Sequence, residues 1–262
     1  MALGGGVVGD LAGFVAATYL RGIRFIQMPT TLLAHDSSIG GKVGINLARG
    51  KNLVGAFHPP MAVLYDVSAL HSLPPREWQN GMAEVIKHTI IGNPSLFERL
   101  EANPLPLFPG ADAVEQWLAE AIQVKINVVE QDEFEQETRM WLNLGHTVGH
   151  AVEQVSHYRL GHGEAVAIGM RVEAEIAAAR GWLSVTDKRR IIAVLDQHGL
   201  PIRPPEFLFD EIVDALQVDK KHTNAGWTFV LPKSIGEVAI ARDVVRQELA
   251  DAWEVSLRER NV

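Results

Sequence analysis

The sequence contains no cysteine, and this absence narrows the chemistry open to the chain. Disulfide bonds, thiolate metal ligands and a cysteine nucleophile are all excluded. The chain has 10 histidines and 32 acidic residues, so any metal site must use nitrogen and oxygen ligands. The candidate ligands are therefore His, Asp and Glu.

Long apolar runs and an excess of positive charge are also missing. No apolar run reaches the roughly 20 residues that span a bilayer, and no basic-then-apolar leader precedes a cleavage site, so the cytoplasm is the expected location. The formal net charge of -8 argues against a nucleic-acid partner, because affinity for phosphate backbones comes from clustered Lys and Arg. We expect neither a membrane nor a nucleic acid as partner.

The 262 residues are 47% apolar, enough to bury one large core or two small ones. Residues 1–73 are rich in Gly, Thr and small apolar residues, with short β-like runs at 24–28 and 62–65, which predicts the tail of an α/β domain. After Pro74 and Pro75 the periodicity becomes helical, which predicts a mainly α-helical domain over 74–262. The sequence predicts helices at 76–91, 111–131, 139–156, 163–181 and 186–198, and a hairpin of 227–231 with 238–240.

A glycine-rich turn, Gly4-Gly5-Gly6-Val7-Val8-Gly9-Asp10, opens an apolar helix that runs to about Tyr19. Such a turn suits phosphate, because its amides carry no obstructing side chains and the helix N-terminus favours negative charge. In a dinucleotide-binding fold the turn follows a strand, and no strand is predicted before it here. The pattern alone leaves a phosphate site and an ordinary tight turn both open.

The densest group of chemical side chains lies around His146 and His150. The two histidines are four residues apart on a predicted helix, so both imidazoles project from one face. His162 opens the next predicted helix, while Glu84 and Lys87 share a face of an earlier one. Three neutral or anionic ligands, such as His and Glu, with one open position are typical of a catalytic zinc site. The spacing in the sequence does not decide which three residues bind the metal. A core or capped histidine pair is the alternative.

Cationic residues form a second set, several of them beside small residues at predicted element ends. They suit phosphate or carboxylate binding by charge-assisted hydrogen bonds, although each alone is also typical of a solvated surface. The set comprises Arg21, Arg24, Lys42, Lys51, Lys87, Lys125, Arg139, Lys220 and Lys221.

Several motifs resemble those of the 3-dehydroquinate synthases in order and spacing. They are Gly4 to Asp10, Arg21 to Leu33, Asp36 to Lys42, Gly50 to Asn52, Ala83 to Lys87, Leu142 to His146 and His162 to Ala165. The resemblance covers essentially the whole chain. It implies a Rossmann-like NAD-binding domain, of which residues 1–73 are the C-terminal part, followed by a helical metal- and substrate-binding domain over 74–262.

The resemblance also implies the cofactors and their ligands. A zinc ion, or cobalt, is implied at Glu84, His146 and His162. NAD contacts are implied at Gly6, Val7, Val8, Gly9, Asp10, Thr30, Thr31, Lys42, Lys51, Ala69, Leu70, His71 and Ser72.

The family's substrate is 3-deoxy-D-arabino-heptulosonate 7-phosphate, which it converts to 3-dehydroquinate and phosphate in the shikimate pathway of aromatic amino acid biosynthesis. In such enzymes NAD oxidises a ring alcohol transiently, phosphate leaves, the ketone is reduced again, and the ring opens and closes by an aldol step. The implied substrate contacts are Arg21, Asp36, Lys42, Asn52, Lys87, Lys125, Arg139, Asn143 and His150, with one of Lys220 and Lys221. On residue chemistry, His150 is placed to shuttle a proton.

Two departures from the family pattern accompany the resemblance. The stretch before Asp36 is one residue shorter than usual, which bears on the placement of His35 and Asp36. The strands and helices that precede this region in the family have no counterpart here, which predicts an exposed sheet edge and uncovered apolar surface. One hypothesis is that Met1 is an internal or misassigned start.

The alternatives to a 3-dehydroquinate synthase are another sugar phosphate cyclase, a metal-dependent alcohol dehydrogenase, or an inactive fragment. A homodimer is also expected, since the family often forms one.

Overall fold

The computed structural model describes residues 1–47, 50–105, 107–207, 209–218, 222–223 and 226–258. Within these ranges the side chains of 50–52, 217–218 and 222–223 are not described. The strands are β1 (Ala2–Gly4), β2 (Ile26–Pro29), β3 (Lys42–Leu47), β4 (Gly50–Phe57), β5 (Ala62–Val63), β6 (His222–Thr223), β7 (Gly226–Ser234) and β8 (Glu237–Val244). The α-helices are α1 (Gly6–Thr18), α2 (Ala34–Ser37), α3 (Pro75–Gly92), α4 (Pro94–Ala102), α5 (Ala111–Gln131), α6 (His146–Val155), α7 (His162–Ala179), α8 (Val185–Gln197), α9 (Phe209–Val218) and α10 (Arg246–Arg258). Short 3-10 helices occupy Tyr19–Arg21, Val67–Ser72 and Thr138–Asn143.

The N-terminal part is a small parallel sheet with one helix. Its strand order is β1-β2-β5, and Ala2 of β1 pairs with Gln27 of β2. The strand β1 leads directly into the glycine turn and α1, so the expectation that no strand precedes the turn is wrong. The strand β1 has only three residues, which are too few to show the alternation of apolar and polar residues that predicts a strand. An antiparallel pair, β3 with β4, follows this sheet and was not predicted, because its glycines interrupt the alternation that marks a strand.

The predicted uncovered surface is present at this end of the molecule. In the described part of the chain β1 has a strand neighbour on one side only. Val7, Leu11 and Val15 recur every four residues along α1, and each has more than half of its surface exposed. One face of α1 is therefore an apolar stripe in contact with solvent.

The remainder of the chain is mainly helical, as predicted, and its core centres on α7. This helix is buried along nearly its whole length and contacts α3, α6, α8, α10 and β7. Ala, Val and Ile recur along α7 and favour its central position, and the buried residues of this helix also include the charged Arg171, Glu173 and Glu175. The helix α3, which packs against α7, is buried from Asn80 to Ile91.

Most predicted helix boundaries agree with the structure within two residues, and α5 agrees at both ends. The helix predicted over 139–156 is wrong in its first part. There a 3-10 turn ends at Asn143, Gly145 adopts a left-handed conformation with φ 78°, and α6 begins only at His146. A positive φ cannot occur inside a right-handed helix, so Gly145 separates the two pieces. The helices α4, α9 and α10 were not predicted. Among the described residues no helix is long and apolar enough to cross a membrane.

Candidate metal and substrate site

Glu84 is the buried centre of the candidate metal site. It lies in the middle of α3, a helix that Pro75 starts at a first-turn position where proline costs no hydrogen bond. Its side chain is 1% exposed and forms an i,i+3 ion pair with Lys87. The predicted shared face of Glu84 and Lys87 is confirmed by this contact.

His146 and His162 complete the group, and each is the first residue of its helix. The Nε2 atom of His146 lies 3.5 Å from Oε1 of Glu84, and Nε2 of His162 lies 3.3 Å from the same oxygen. The two rings are 5.2 Å apart between centroids. Three helices therefore bring one carboxylate and two imidazoles from distant sequence positions to one point.

The donor atoms fit a divalent metal ion. In a tetrahedral site with metal–ligand bonds of about 2.0–2.1 Å, neighbouring ligand atoms are about 3.3 Å apart, close to the two separations measured here. Both oxygens of Glu84 are buried without a well-oriented hydrogen bond from any described residue, and a buried carboxylate in this state needs a partner. A divalent cation between the three side chains would give Oε1 of Glu84 the partner that Lys87, which contacts Oε2, does not supply.

The ionisation states of the three candidate ligands differ. Burial and the Asp36 charge raise the pKa of Glu84, but Lys87, together with His146 and His162, holds it well below its usual range. Burial and then Lys87 hold the pKa of His146 well below its ordinary value, so this imidazole is neutral. Burial lowers the pKa of His162, but hydrogen bonds and charges from Glu153 and Glu84 outweigh it and raise the pKa to about 9.

His150 lies beside this group on the same face of α6, as predicted. Its ring centroid is 5.3 Å from that of His146 and 6.1 Å from that of His162. Unlike the other two, His150 is exposed. It is thus the member of the cluster that solvent and a ligand can both reach.

Asp36 is the centre of a second cluster that adjoins the first through Lys87. Its Oδ2 atom lies 2.9 Å from Nζ of Lys125, and its Oδ1 atom lies 3.7 Å from Nζ of Lys87. His88, which was not predicted, donates from Nε2 to Oδ1 of Asp36 over 2.9 Å. Lys125 also donates to the backbone oxygen of Asp36.

The charges of the two clusters balance. Burial raises the pKa of Asp36, but Lys125 and Lys87 hold it well below its usual range. Burial lowers the pKa of Lys87, but Asp36 and Glu84 raise it above the ordinary value. For Lys125 burial dominates and lowers the pKa. Two carboxylates and two ammonium groups therefore share a dry region, and their mutual attraction offsets part of the desolvation cost.

Arg139 and Asn143 lie on the 3-10 turn before α6, close to the loop after α2. Arg139 is 2% exposed and donates from a guanidinium nitrogen to the carbonyl oxygen of Gly40 over 2.7 Å. Gly40 has φ 94°, and a Cβ there would overlap the guanidinium group, so both its conformation and its lack of a side chain are required.

Glu135 also lies in this region and was not predicted. Its Oε1 atom accepts a hydrogen bond of 3.1 Å from Asn143, and its Oε2 atom forms an ion pair with Lys42. An acidic residue among several acidic neighbours shows no pattern of its own. The positive φ of 59° at Glu135 was likewise not readable from the sequence.

The predicted NAD residues at the glycine turn lie at the N-terminus of α1. This helix has no side-chain N-cap and no acidic residue in its first turn, so its amides face outward without a competing group. Asp10 lines a cavity of about 250 Å³ with Lys42, Val43, Gly44, Gly55, Ala56 and Phe57. Burial raises the pKa of Asp10 to about 6, with Lys125 opposing.

The other predicted NAD residues are spread over two places. Thr30 donates its backbone N–H to Gly4 over 3.0 Å, and Thr31 lies next to it with its Oγ1 accepting from Ala34, so both adjoin the glycine turn. Ala69, Leu70, His71 and Ser72 form a 3-10 helix that contacts α5. Leu70 is fully buried in the hydrophobic core, so its side chain is not open to a ligand.

The structure does not bring every predicted substrate residue to the site. Arg21 is exposed at the end of the 3-10 turn after α1, and no hydrogen bond or ion pair ties it to the clusters among the described residues. For Lys51 and Asn52 only the backbone, within β4, is described. Lys220 and Lys221 lie outside the described residues.

Comparison with known proteins finds matches to both parts of the chain. A family model described as 3-dehydroquinate synthase N-terminal matches residues 1–80, and one described as 3-dehydroquinate synthase C-terminal matches residues 81–222. The 3-dehydroquinate synthase of Pelotomaculum thermopropionicum is 51% identical over 255 residues, which are 96% of this chain and 69% of the relative. That of Synechococcus sp. (strain CC9605) is 49% identical over 259 residues, which are 97% of this chain and 70% of the relative.

Solved structures show the same fold. The 2-epi-5-epi-valiolone synthase of Streptomyces hygroscopicus subsp. jinggangensis 5008, with NAD+ and Zn2+ bound, superimposes with a TM-score of 0.89 at 31% identity, over 97% of this chain and 72% of that one. A 2-deoxy-scyllo-inosose synthase complexed with carbaglucose-6-phosphate, NAD+ and Co2+ gives a TM-score of 0.85 at 31% identity, over the same shares. The more distant glycerol dehydrogenase of Sinorhizobium meliloti 1021, at 16% identity and a TM-score of 0.59, shares the fold alone.

The fold is thus that of the sugar phosphate cyclases, as predicted: part of a Rossmann-like α/β unit followed by a mainly helical region. Within that class, the chain belongs to the 3-dehydroquinate synthase family.

Proposed function

We propose that this chain carries out, or contributes the metal- and substrate-binding part of, the 3-dehydroquinate synthase reaction in the cytoplasm. The reaction converts 3-deoxy-D-arabino-heptulosonate 7-phosphate to 3-dehydroquinate and phosphate. The observation that supports it most is the meeting of Glu84, His146 and His162 beside the charged cluster of Asp36, Lys87 and Lys125. Residues 1–73 serve NAD and residues 74–262 serve metal and substrate in this proposal.

The cofactors of the proposal are NAD and a zinc or cobalt ion, which the two cyclase structures at 31% identity also hold. Glu84, His146 and His162 would hold the metal, while Gly6 to Asp10, Thr30, Thr31, Lys42, Lys51 and Ala69 to Ser72 would contact NAD. When bound, the metal supplies a Lewis acid for alcohol and ketone oxygens, and NAD supplies reversible hydride acceptance.

The chain's own residues bind and orient an anionic, polyhydroxylated substrate in this proposal. Lys87, Lys125 and Arg139 provide positive charge in a buried region, where charge-assisted hydrogen bonds to phosphate or carboxylate are strong. His150 is exposed at the edge of the metal cluster and can hold or release a proton at an imidazole nitrogen. The departing phosphate can act as its own base, so orientation and charge are the main demands on the protein.

Asp36 and Asn143 position nearby lysines in this proposal and do not themselves attract the anionic substrate. Asp36 joins Lys87 and Lys125, and Asn143 reaches Lys42 through Glu135. Arg21, Asn52 and one of Lys220 and Lys221 remain proposed substrate contacts on the resemblance alone.

Other sugar phosphate cyclases are the nearest competing function. Identity favours the 3-dehydroquinate synthases, at 49% and 51%, over the cyclases of the other two products, at 31%. A metal-dependent alcohol dehydrogenase is supported by fold only. A chain that binds metal without completing the reaction is the remaining alternative.

Calorimetric titration with NAD in the presence of zinc, followed by a phosphate-release assay, tests the proposal. We expect NAD binding and phosphate release from the heptulosonate phosphate, with 3-dehydroquinate as product. The His162→Ala variant is the control: it should lose stoichiometric zinc and with it phosphate release. Zinc binding without NAD binding or phosphate release would identify an inactive fragment, and release from another sugar phosphate only would identify another cyclase.

A further inference from the structure

The two histidines of the candidate metal site differ in what holds their outward ring nitrogens. An imidazole that binds a metal through one nitrogen needs an acceptor for the N–H on the other, because that hydrogen bond fixes the tautomer and the ring orientation. For His146 the acceptor is a backbone group: Nδ1 lies 3.0 Å from the carbonyl oxygen of Leu144. For His162 it is a side chain, since Nδ1 lies 3.3 Å from Oε2 of Glu153.

Glu153 is a buried carboxylate on α6 that this contact links to the metal site. It lies on the last turns of α6, and its side chain is 4% exposed among the apolar residues that join α6 to α7. A buried carboxylate is costly unless strong donors face it. The His162 ring connects it to Glu84, because Nδ1 faces Glu153 while Nε2 faces Oε1 of Glu84 at 3.3 Å.

We propose that Glu153 is a positioning residue for the metal ion: it accepts the Nδ1 proton of His162, directs Nε2 toward Glu84, and makes the ring a stronger donor for a divalent cation. The inference depends on the metal site of the proposed function. Glu153 belongs to the same kind of carboxylate–histidine arrangement that supports metal ligands in other proteins. It acts through His162 and does not itself bind the metal.

Glu153 and His162 could instead help to bind a second metal ion, and this alternative must be distinguished from the positioning role. Oxygens and ring nitrogens of His150, Glu153 and His162 also lie within 4.8 Å of one another, a spacing that could hold a second ion. His162 would then bind through Nδ1 instead of donating from it. Metal stoichiometry distinguishes the two arrangements, because the proposal requires one ion per chain and the alternative two.

The test measures zinc affinity of the full chain by competition with a chromogenic chelator, in Glu153→Ala, Glu153→Gln and the control Glu175→Gln. Glu175 is a buried carboxylate on α7 that pairs with Lys188, 2.7 Å away, and with Arg171, 4.0 Å away. Loss of the acceptor in Glu153→Ala should weaken zinc binding roughly 10- to 100-fold. Glu153→Gln keeps a carbonyl acceptor and should lose clearly less, and Glu175→Gln should bind like the parent chain.

Two spectroscopic measurements separate positioning from a general loss of folding. The absorption spectrum of the Co2+-loaded protein should change in Glu153→Ala and stay close to that of the parent in Glu153→Gln. In the zinc-loaded parent, nitrogen NMR should show His162 protonated at Nδ1, which remains measurable even if Glu153→Ala does not fold.

Equal zinc affinity in the parent chain and the three variants, with one ion bound to each, would overturn the role of Glu153 while leaving the metal site intact. Two ions per parent chain, one lost in Glu153→Ala, would replace the proposal with a second site. A parent chain that binds no zinc would overturn both this inference and the proposed function.

Discussion

Gly169 of α7 lies against the carbonyl oxygen of Gly145, so close that a Cβ atom on Gly169 would overlap that oxygen. Gly145 immediately precedes His146, and Gly169 is two turns after His162 on the same helix. The contact therefore sets how near the two candidate metal ligands can come. It also explains why α6 begins where it does, because Gly145 must hold a left-handed conformation while its carbonyl oxygen faces α7.

The first prediction follows from this contact. Gly169→Ala should destabilise the protein by about 1 to 3 kcal/mol, because the added methyl group forces α6 and α7 apart in a close-packed interior. It should also weaken zinc binding, since His146 moves away from His162. Urea denaturation and chelator competition measure the two effects. The control is Gly92→Ala, whose Cβ would lie 3.3 Å from a methyl group of Val124, a close contact but far less severe than the one at Gly169, so its loss of stability should be clearly smaller. Unchanged stability and affinity in Gly169→Ala would contradict the argument.

The second prediction concerns the buried charges around Asp36. Asp36→Asn removes the anion between Lys125 and Lys87 and leaves two ammonium groups near each other in a dry region. Breaking a buried ion pair costs about 3 to 5 kcal/mol, and because Asp36 is itself 20% exposed we expect about 2 to 4 kcal/mol. Chemical denaturation at pH 7 measures the loss.

A second substitution tests the cause. In the double variant Asp36→Asn with Lys125→Met, the unpaired ammonium is gone, so part of the lost stability should return. A double variant whose loss equals the sum of the single losses would show that Asp36 and Lys125 do not interact energetically.

The clusters also show what the sequence could and could not predict. His146 and His150 were assigned to one face because helical spacing alone requires it, and the structure places their rings side by side. The meeting of Glu84 with His162 depends on how α3 packs against α7, which no local pattern specifies. Glu135, His88 and Glu153 were missed for the same reason: each acquires its partner only through tertiary contacts. The β3–β4 pair was missed because glycine-rich strands lack a clear period.

The third prediction is a dependence of stability on pH that Asp10 controls. Its pKa is raised to about 6 by burial, so its protonated form is favoured in the folded state. Stability from this group is fully present below its unfolded pKa of about 3.9 and is lost as the pH rises through about 6. Asp10→Asn, which cannot ionise, should therefore stabilise the metal- and NAD-free protein at pH 8 and have little effect at pH 4.5.

The expected size is about 1 to 2 kcal/mol at pH 8, because Asp10 is only partly buried and solvent screens part of the shift. Thermal melts at both pH values measure it. The control is Asp214→Asn, an exposed aspartate on α9 that should show no such difference. If Asp10→Asn has the same effect at both pH values, the carboxylate of Asp10 is not destabilised by folding.

The fourth prediction concerns metal binding and thermal stability. A ligand that binds only the folded state stabilises it by about 2.7 kcal/mol at 100 times its Kd, so zinc should raise the Tm in a saturable way. His146→Ala removes one of the three donor side chains and should abolish most of that rise. Its control is His157→Asn, because His157 is exposed at φ 52° and Asn tolerates a positive φ. Removing zinc with a chelator should return the parent protein to its metal-free Tm, whereas His157→Asn should respond to zinc and chelator like the parent. A zinc-dependent rise of equal size in His146→Ala would place the ion elsewhere in the molecule, because a site that has lost one of its three donors should bind zinc more weakly and stabilise the fold less.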